Sequence, residues 1–285
     1  MFERRDFKAR HEFIKRINQI SIEVVQISFQ AGASSRRGTG LIGKAILKDA
    51  IELLPYLPET DKFDELKAYF KNNLRFSSEE TRSRYTRYIT KRMFPGSHID
   101  RALPMFAKRF ASQQALKDVC YYRFCRAEPI MLEIMNKVMM PAIGRGQIHR
   151  NHIRDYLAVN YPTSLHNTIQ TSAHAIIDAL LAGGLVRANK TEISFSYRDI
   201  LVPSFAFVLH SEFSEPDMYD LAEAEENLLI NAMLWRPDQI VPTIYELRNK
   251  GLISKVSEID SVRQFTTKFR LDDMVEQLVS EREKI

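Results

Sequence analysis

Cysteine is scarce: Cys120 and Cys125 are the only two in 285 residues. Their spacing suits neither a disulfide framework nor a C-x-x-C metal site, so two reduced structural thiols in a cytoplasmic protein are expected. No run of about 18 apolar residues occurs, which excludes a predicted membrane helix. The opening MFERRDFKARHEF is charged throughout and lacks the apolar centre of a secretory signal. Signatures of catalysis are missing as well. There is no G-x-S-x-G, no H-E-x-x-H and no Cys/His pair of catalytic type. His149 and His152 stand three apart with no acidic or cysteine neighbours to complete a ligand set. His166 falls on the core side of its predicted helix, and Glu223, Glu225 and Glu226 read as a solvated acidic face. No catalytic residue, metal or cofactor is expected.

One stretch comes close to nucleotide chemistry. RRGTGLIGKA contains G-x-x-x-x-G-K from Gly38 to Lys44, but the next position, where a magnesium-binding hydroxyl belongs, is Ala45. Polar ASSRR precedes the first glycine where a phosphate loop needs a buried strand. A nucleotide hydrolase therefore ranks last. The competing reading is a glycine-bearing loop that opens a helix, with Arg36, Arg37 and Lys44 near free N–H groups that favour an anion.

What is present is 45% hydrophobic and 27% charged, an ordinary globular composition with an uneven charge. Residues 1–150 hold 28 Lys/Arg against 16 Asp/Glu, a balance of +12, and residues 211–285 hold 9 against 16, a balance of −7. A basic first half and an acidic tail region point to a polyanion partner for the former. The alternative is charge that only solvates helix faces.

Periodicity makes the chain mainly α. Phe13, Ile17, Ile20, Val24 and Ile27 form one helical face, with ISIEVVQISF keeping a strand open there. Further helices are predicted at about 41–54, 61–74, 78–94, 99–110, 112–125 and 128–140. Ser77 and Glu80 have capping-box spacing, and Pro95-Gly96 closes the helix they open. The second half changes texture, with helices at 148–159 and 164–182, Gly183-Gly184, then LVRA and TEISFSY joined across Asn189-Lys190. Three helices followed by a hairpin make a winged-helix pattern. Helices at 220–234 and 238–250 followed by LISKVSEI and RQFTTKF are a looser echo of it. The expected organisation is a helical bundle over 1–125, a winged-helix unit with a short β-hairpin wing over 126–212, and an acidic helical or second winged-helix-like region over 213–285.

Two helices carry candidate contacts. At 100° per residue, Tyr85, Tyr88, Ile89 and Met93 form a buried face, and Arg84, Arg87 and Lys91 a separate stripe able to follow a phosphate backbone. On the helix at 164–182, Ile169, Ala173, Ile176, Ile177 and Leu180 face the core. Ser164, Asn167, Thr168, Thr171 and His174 point outward or lie at the margin, and Arg187 and Lys190 fall on the wing. This outer face has no Arg or Lys, which argues against strong guanine readout.

Residues 36–210 resemble a known family. GTGLIGKAILKDAIELL is similar to its Thr-Gly opening and Leu-rich helix. FDELKAYFKNNLRFSSEETRSRYTRYITKR is similar to its Asn-Leu, Ser-capped, Arg-rich helix. YYRFCRAEPIMLEIMNKVMMPAIGRGQ, IRDYLAV and the helix-Gly-Gly-wing segment continue the match. The family is the small A-type protein of BREX phage-defence systems (BrxA-like). The resemblance implies a non-enzymatic, mostly helical protein of winged-helix character, encoded with a methyltransferase, an ATPase and a phosphatase-like protein. It also implies double-stranded DNA as partner, faced by Arg82, Arg84, Arg87, Lys91 and the winged unit. Residues 1–35 and 215–285 lie outside it. The functional expectation is non-catalytic DNA binding within such a complex, with oligomeric state left open. The alternatives are a protein-docking scaffold or a winged-helix transcriptional regulator.

Overall fold

The structure is a computed structural model, and it describes residues 40–259 and 262–280. The amphipathic stretch at 13–27, Arg36 and Arg37 lie outside these. The organising element is a central helix, α5 (Gln114–Ala127). It is buried almost all round: Leu116, Val119, Cys120, Tyr121 and Phe124 are fully enclosed, and so are the charged Asp118 and Arg123. Around it pack α1 (Leu47–Leu53), α2 (Phe63–Asn73), α3 (Glu79–Met93) and α4 (Ala102–Arg109), with α1 and α3 in direct contact with α5.

Helix α3 keeps its predicted faces except at Tyr88, which is half-buried. Tyr85, Ile89 and Met93 are buried, whereas Arg84, Arg87 and Lys91 are exposed. Its cap is Ser78 rather than Ser77, because the Ser78 hydroxyl accepts from Thr81 N–H while the Ser77 carbonyl is taken by Arg82. The helix expected at 41–54 is shorter. In a helix the Lys44 and Ala45 carbonyls would serve the N–H groups one turn on; here the Arg92 guanidinium takes both. The chain stays irregular to Ile46, whose φ of 53° turns it sharply into α1.

After α5 the chain runs twice through a similar order of elements, the second time with one helix more. First come α6 (Pro129–Ile134), β1 (Gln147–His149), α7 (Asn151–Asn160), α8 (His166–Ala182), β2 (Val186–Ala188) and β3 (Glu192–Phe195), the strands forming an antiparallel sheet of order β1-β3-β2. Helix α6 leaves α geometry through a π turn at Met135–Met139 and a 3₁₀ turn at Met140–Arg145. Pro141 has no N–H to donate and its ring crowds the preceding turn, which forbids a plain α continuation. Then follow α9 (Val202–Glu212), β4 (Met218–Asp220), α10 (Leu221–Glu225), α11 (Leu228–Ala232), α12 (Pro237–Asn249), β5 (Ile253–Ile259) and β6 (Val262–Thr267), again antiparallel with order β4-β6-β5. The single helix expected at 220–234 is two, because Asn227 caps a new start by accepting from the N–H groups of Leu229 and Ile230. Helix α13 (Leu271–Ser280) returns to α4, where the Asp272 carboxylate accepts from Ala102 N–H.

The molecule is thus mainly helical, with two small antiparallel three-stranded sheets. Residues 41–280 share one continuous apolar core.

The Gly183-Gly184 turn packs the end of α8 against the central helix. Gly184 has φ 71°, and a Cβ there would sit 2.6 Å from the Gln114 amide oxygen. Gln114 in turn donates to the Gly183 carbonyl at 2.7 Å and to Asp118 at 2.9 Å. Only glycine combines that backbone with so close an approach.

His210 on α9 is fully buried, with Nδ1 3.0 Å from the Ala206 carbonyl and Nε2 3.2 Å from that of Leu252. Burial holds the ring below its ordinary 6.5, outweighing the two carbonyls. Between that lower value and 6.5, the unfolded chain binds a proton that the folded chain does not. Stability therefore falls as pH drops below 6.5 and levels off once the folded ring protonates. Denaturant titrations across this range should show that fall, with the difference between wild type and His210→Gln shrinking as pH falls. A constant difference across the range would contradict it.

Candidate nucleic-acid interface

Helices α7 and α8 meet the β2–β3 turn around a cavity of about 200 Å³ whose polar lining is basic or neutral. Arg150 caps the start of α7 and Arg154 lies in its first turn, four residues on. Gln170, Ala173, His174 and Ile177 form one face of α8, spaced i, i+3, i+4, i+7. Lys190 closes the third side.

The turn is built to present that lysine. Asn189 Oδ1 accepts from the N–H groups of Thr191 (2.9 Å) and Glu192 (2.8 Å), folding the backbone tightly and leaving Lys190 exposed at the tip. The Arg150 guanidinium donates to the Asn189 carbonyl at 3.0 Å, and its N–H to the Thr191 carbonyl at 2.8 Å, which ties the start of α7 to the turn. Arg154 pairs with Asp155 at 2.9 Å. The other end of α7 is set by Glu133, which accepts from the Tyr156 and Tyr161 hydroxyls at 2.7 and 2.9 Å. Beyond it the α7–α8 turn shows Val159 and Leu165 to solvent, each 76% exposed.

The residues predicted from sequence fall into three groups. His174 and Lys190 belong to the basic cavity. Asn167, Thr168 and Thr171 lie roughly a third of a turn around α8 and line a separate depression with Leu41, Ile42 and Gly43. There the Ile42 N–H donates to the Ser172 hydroxyl at 3.1 Å, so the irregular segment 41–46 lies along α8 as a strap. Ser164 is half-buried in the turn before α8, and Arg187 is exposed on β2 opposite Ser194. Arg84 and Arg87 remain exposed on α3, Arg84 5.4 Å over the Tyr85 ring. Lys91 stands 3.8 Å from Glu128, and Arg82 donates to the Phe76 and Ser77 carbonyls at 2.6 and 3.1 Å. Lys44 is exposed while its carbonyl is held by Arg92, so the near-phosphate loop offers its carbonyls to a cation.

Sequence reading missed Arg150, Arg154 and Gln170. The signal was present, since IHRNHIRDY places two arginines one helical turn apart at a helix start. His166, expected in the core, is exposed because α8 begins there, ahead of its buried face.

Among the described residues no cluster of three His, Cys, Asp or Glu could hold a metal ion, and no helix is long and apolar enough to cross a membrane. Burial pushes the Cys120 thiol far up and that of Cys125 to about 12, so neither is a nucleophile at neutral pH.

No protein-family model matches the chain, and no curated protein does. Among solved structures, the crystal structure of SspB is similar over 87% of this chain and 91% of its own, with a TM-score of 0.48 and 8% identity.

Proposed function

We propose that this protein binds duplex DNA without catalysis, as a component of a BREX-like phage-defence complex, and that residues 129–195 and 202–267 are two winged-helix units. The observation that carries the reading is the basic cavity where Arg150, Arg154, His174 and Lys190 converge between two helices and a β-turn. Such a site suits backbone phosphates, which fix register without reading sequence. The strap over Asn167, Thr168 and Thr171 favours the same mode, since it narrows access to the α8 side chains best suited to base edges.

The test is fluorescence anisotropy of a labelled duplex across a salt series. Arg154→Glu with Lys190→Glu should weaken binding about tenfold or more at low salt and lower the slope of log K against log salt by about 0.9 per lost contact. Both side chains are solvent-accessible, so the fold is retained. An unchanged affinity and slope would reject the reading. The scaffold reading would then stand, favoured by the bare Val159 and Leu165 at the α7–α8 turn.

A further inference from the structure

Two adjoining depressions run along α1 on the side away from the core. The first, about 460 Å³, lies between α1, α3 and α8 and presents Phe76, Tyr85, Lys44, Lys48, Asp49 and Asp178. The second, about 370 Å³, shares Asp49 and adds Tyr56, Tyr69, Asn73 and Arg75. Both have the volume of small-ligand pockets.

Their lining alternates rings with charges. Phe76 packs edge to face at 4.7 Å on the buried Tyr85, Phe76 and Tyr69 are half-buried, and Tyr56 stands 74% exposed as the open ring. Lys44, Lys48 and Arg75 are balanced by Asp49, Glu52 and Asp178, so a bare polyanion gains nothing here. Burial lifts the Asp49 carboxyl above its ordinary value. The exposed stripe of Arg84, Arg87 and Lys91 starts beside the groove, with Arg84 over the ring of Tyr85.

Aromatic platforms beside a cationic track are the physical requirement for holding an unpaired strand, bases stacked inward and phosphates outward. Carboxylates among the rings accept from exocyclic amines, which adenine, cytosine and guanine carry and thymine lacks.

We infer that this groove seats unpaired bases of single-stranded DNA, preferring amine-bearing bases, with the α3 stripe carrying the backbone. The inference rests on the DNA-binding reading above but uses a different surface, so the two separate experimentally. The probes are labelled oligo-dC, oligo-dT and a mixed-sequence duplex, each titrated by anisotropy. Oligo-dC should bind several-fold tighter than oligo-dT, and Asp178→Asn should shrink that difference. Tyr56→Ala, at an exposed ring, should weaken both single strands roughly tenfold, as loss of a base stack does, and leave the duplex unchanged. Tyr56→Phe should restore most of the binding.

Duplex binding without single-strand binding would overturn this inference and leave the previous one standing. Single-strand binding indifferent to both Tyr56→Ala and Asp178→Asn would overturn it too. So would a photo-crosslinker at position 56 that labels a peptide and not an oligonucleotide.

Discussion

Asp118→Ala should cost about 3–5 kcal/mol of stability, the range for removing one partner from a buried ion pair. Asp118 is 1% exposed, and its carboxylate receives three donors: Gln114 Nε2 at 2.9 Å, Arg198 Nη1 at 3.0 Å and the Ser204 hydroxyl at 3.0 Å. Those donors come from α5, the segment after β3, and α9. Removing the carboxylate leaves the Arg198 side chain, 17% exposed, with only the Met233 carbonyl for its charge. For a unit of this size the loss corresponds to a fall of about 6–20 °C in Tm. Replacing both ends with apolar groups, Asp118→Leu with Arg198→Met, should recover much of it, because no uncompensated charge remains. Chemical denaturation of the two single variants and the double variant gives the coupling directly. A single variant within about 1 kcal/mol of wild type would show that water reaches Arg198 and that the pair does not organise the junction.

Arg92→Met should be of similar size, with a local signature. Arg92 is 4% exposed. It donates to Glu128 at 2.9 Å and to the carbonyls of Lys44 and Ala45, and its guanidinium lies 4.6 Å from the Phe124 ring centre. Methionine keeps much of the volume and the contact with Phe124 but leaves Glu128 and two backbone carbonyls short of a donor, a loss of about 3 kcal/mol or more. Arg92→Lys is not a mild change here, since an ammonium cannot span acceptors on both sides as the planar fork does. The strap at 41–46 should loosen first, so limited proteolysis with trypsin should cut after Lys44 in Arg92→Met well before global unfolding. Equal cutting rates in variant and wild type would show that Ile42 and Leu47, both buried, hold the strap without the arginine.

These two residues also mark what could be read from sequence and what could not. The faces of α3 and α8 follow from local period: Tyr85, Ile89 and Met93, and likewise Ile169, Ala173, Ile176, Ile177 and Leu180, are all buried as the spacing predicts. Turn chemistry was legible too, in Gly183-Gly184 and Asn189-Lys190. The short strands Gln147–His149 and Met218–Asp220 were not, because three residues carry almost no periodicity and each strand exists only by pairing with a distant partner. Helix α9 hid for the opposite reason, being buried on nearly every side, its polar Ser204, His210 and Ser211 included, and so without an amphipathic pattern. Asp118 and Arg92 look like ordinary surface charges in a helical stretch. Only their partners, dozens of positions away, show that they are buried.

The candidate interface divides the same way. His174 and Lys190 were legible as an outward helix position and a turn tip. Arg150 and Arg154 needed the third dimension, since they join the other two only through the Asn189 turn.

The segment after β3 has a mechanical meaning. Arg198 pairs its backbone in parallel with Trp235, donating to the Leu234 carbonyl at 2.7 Å and accepting from Arg236 N–H at 2.9 Å, while its side chain is bolted to Asp118. What would otherwise be a free linker is riveted by two backbone bonds to the segment between α11 and α12 and by one side-chain bond to the central helix. The two sheet-bearing modules it joins are therefore a caliper with its jaws locked. A partner that grips both modules must match their spacing as built, because the protein has no hinge there with which to adjust.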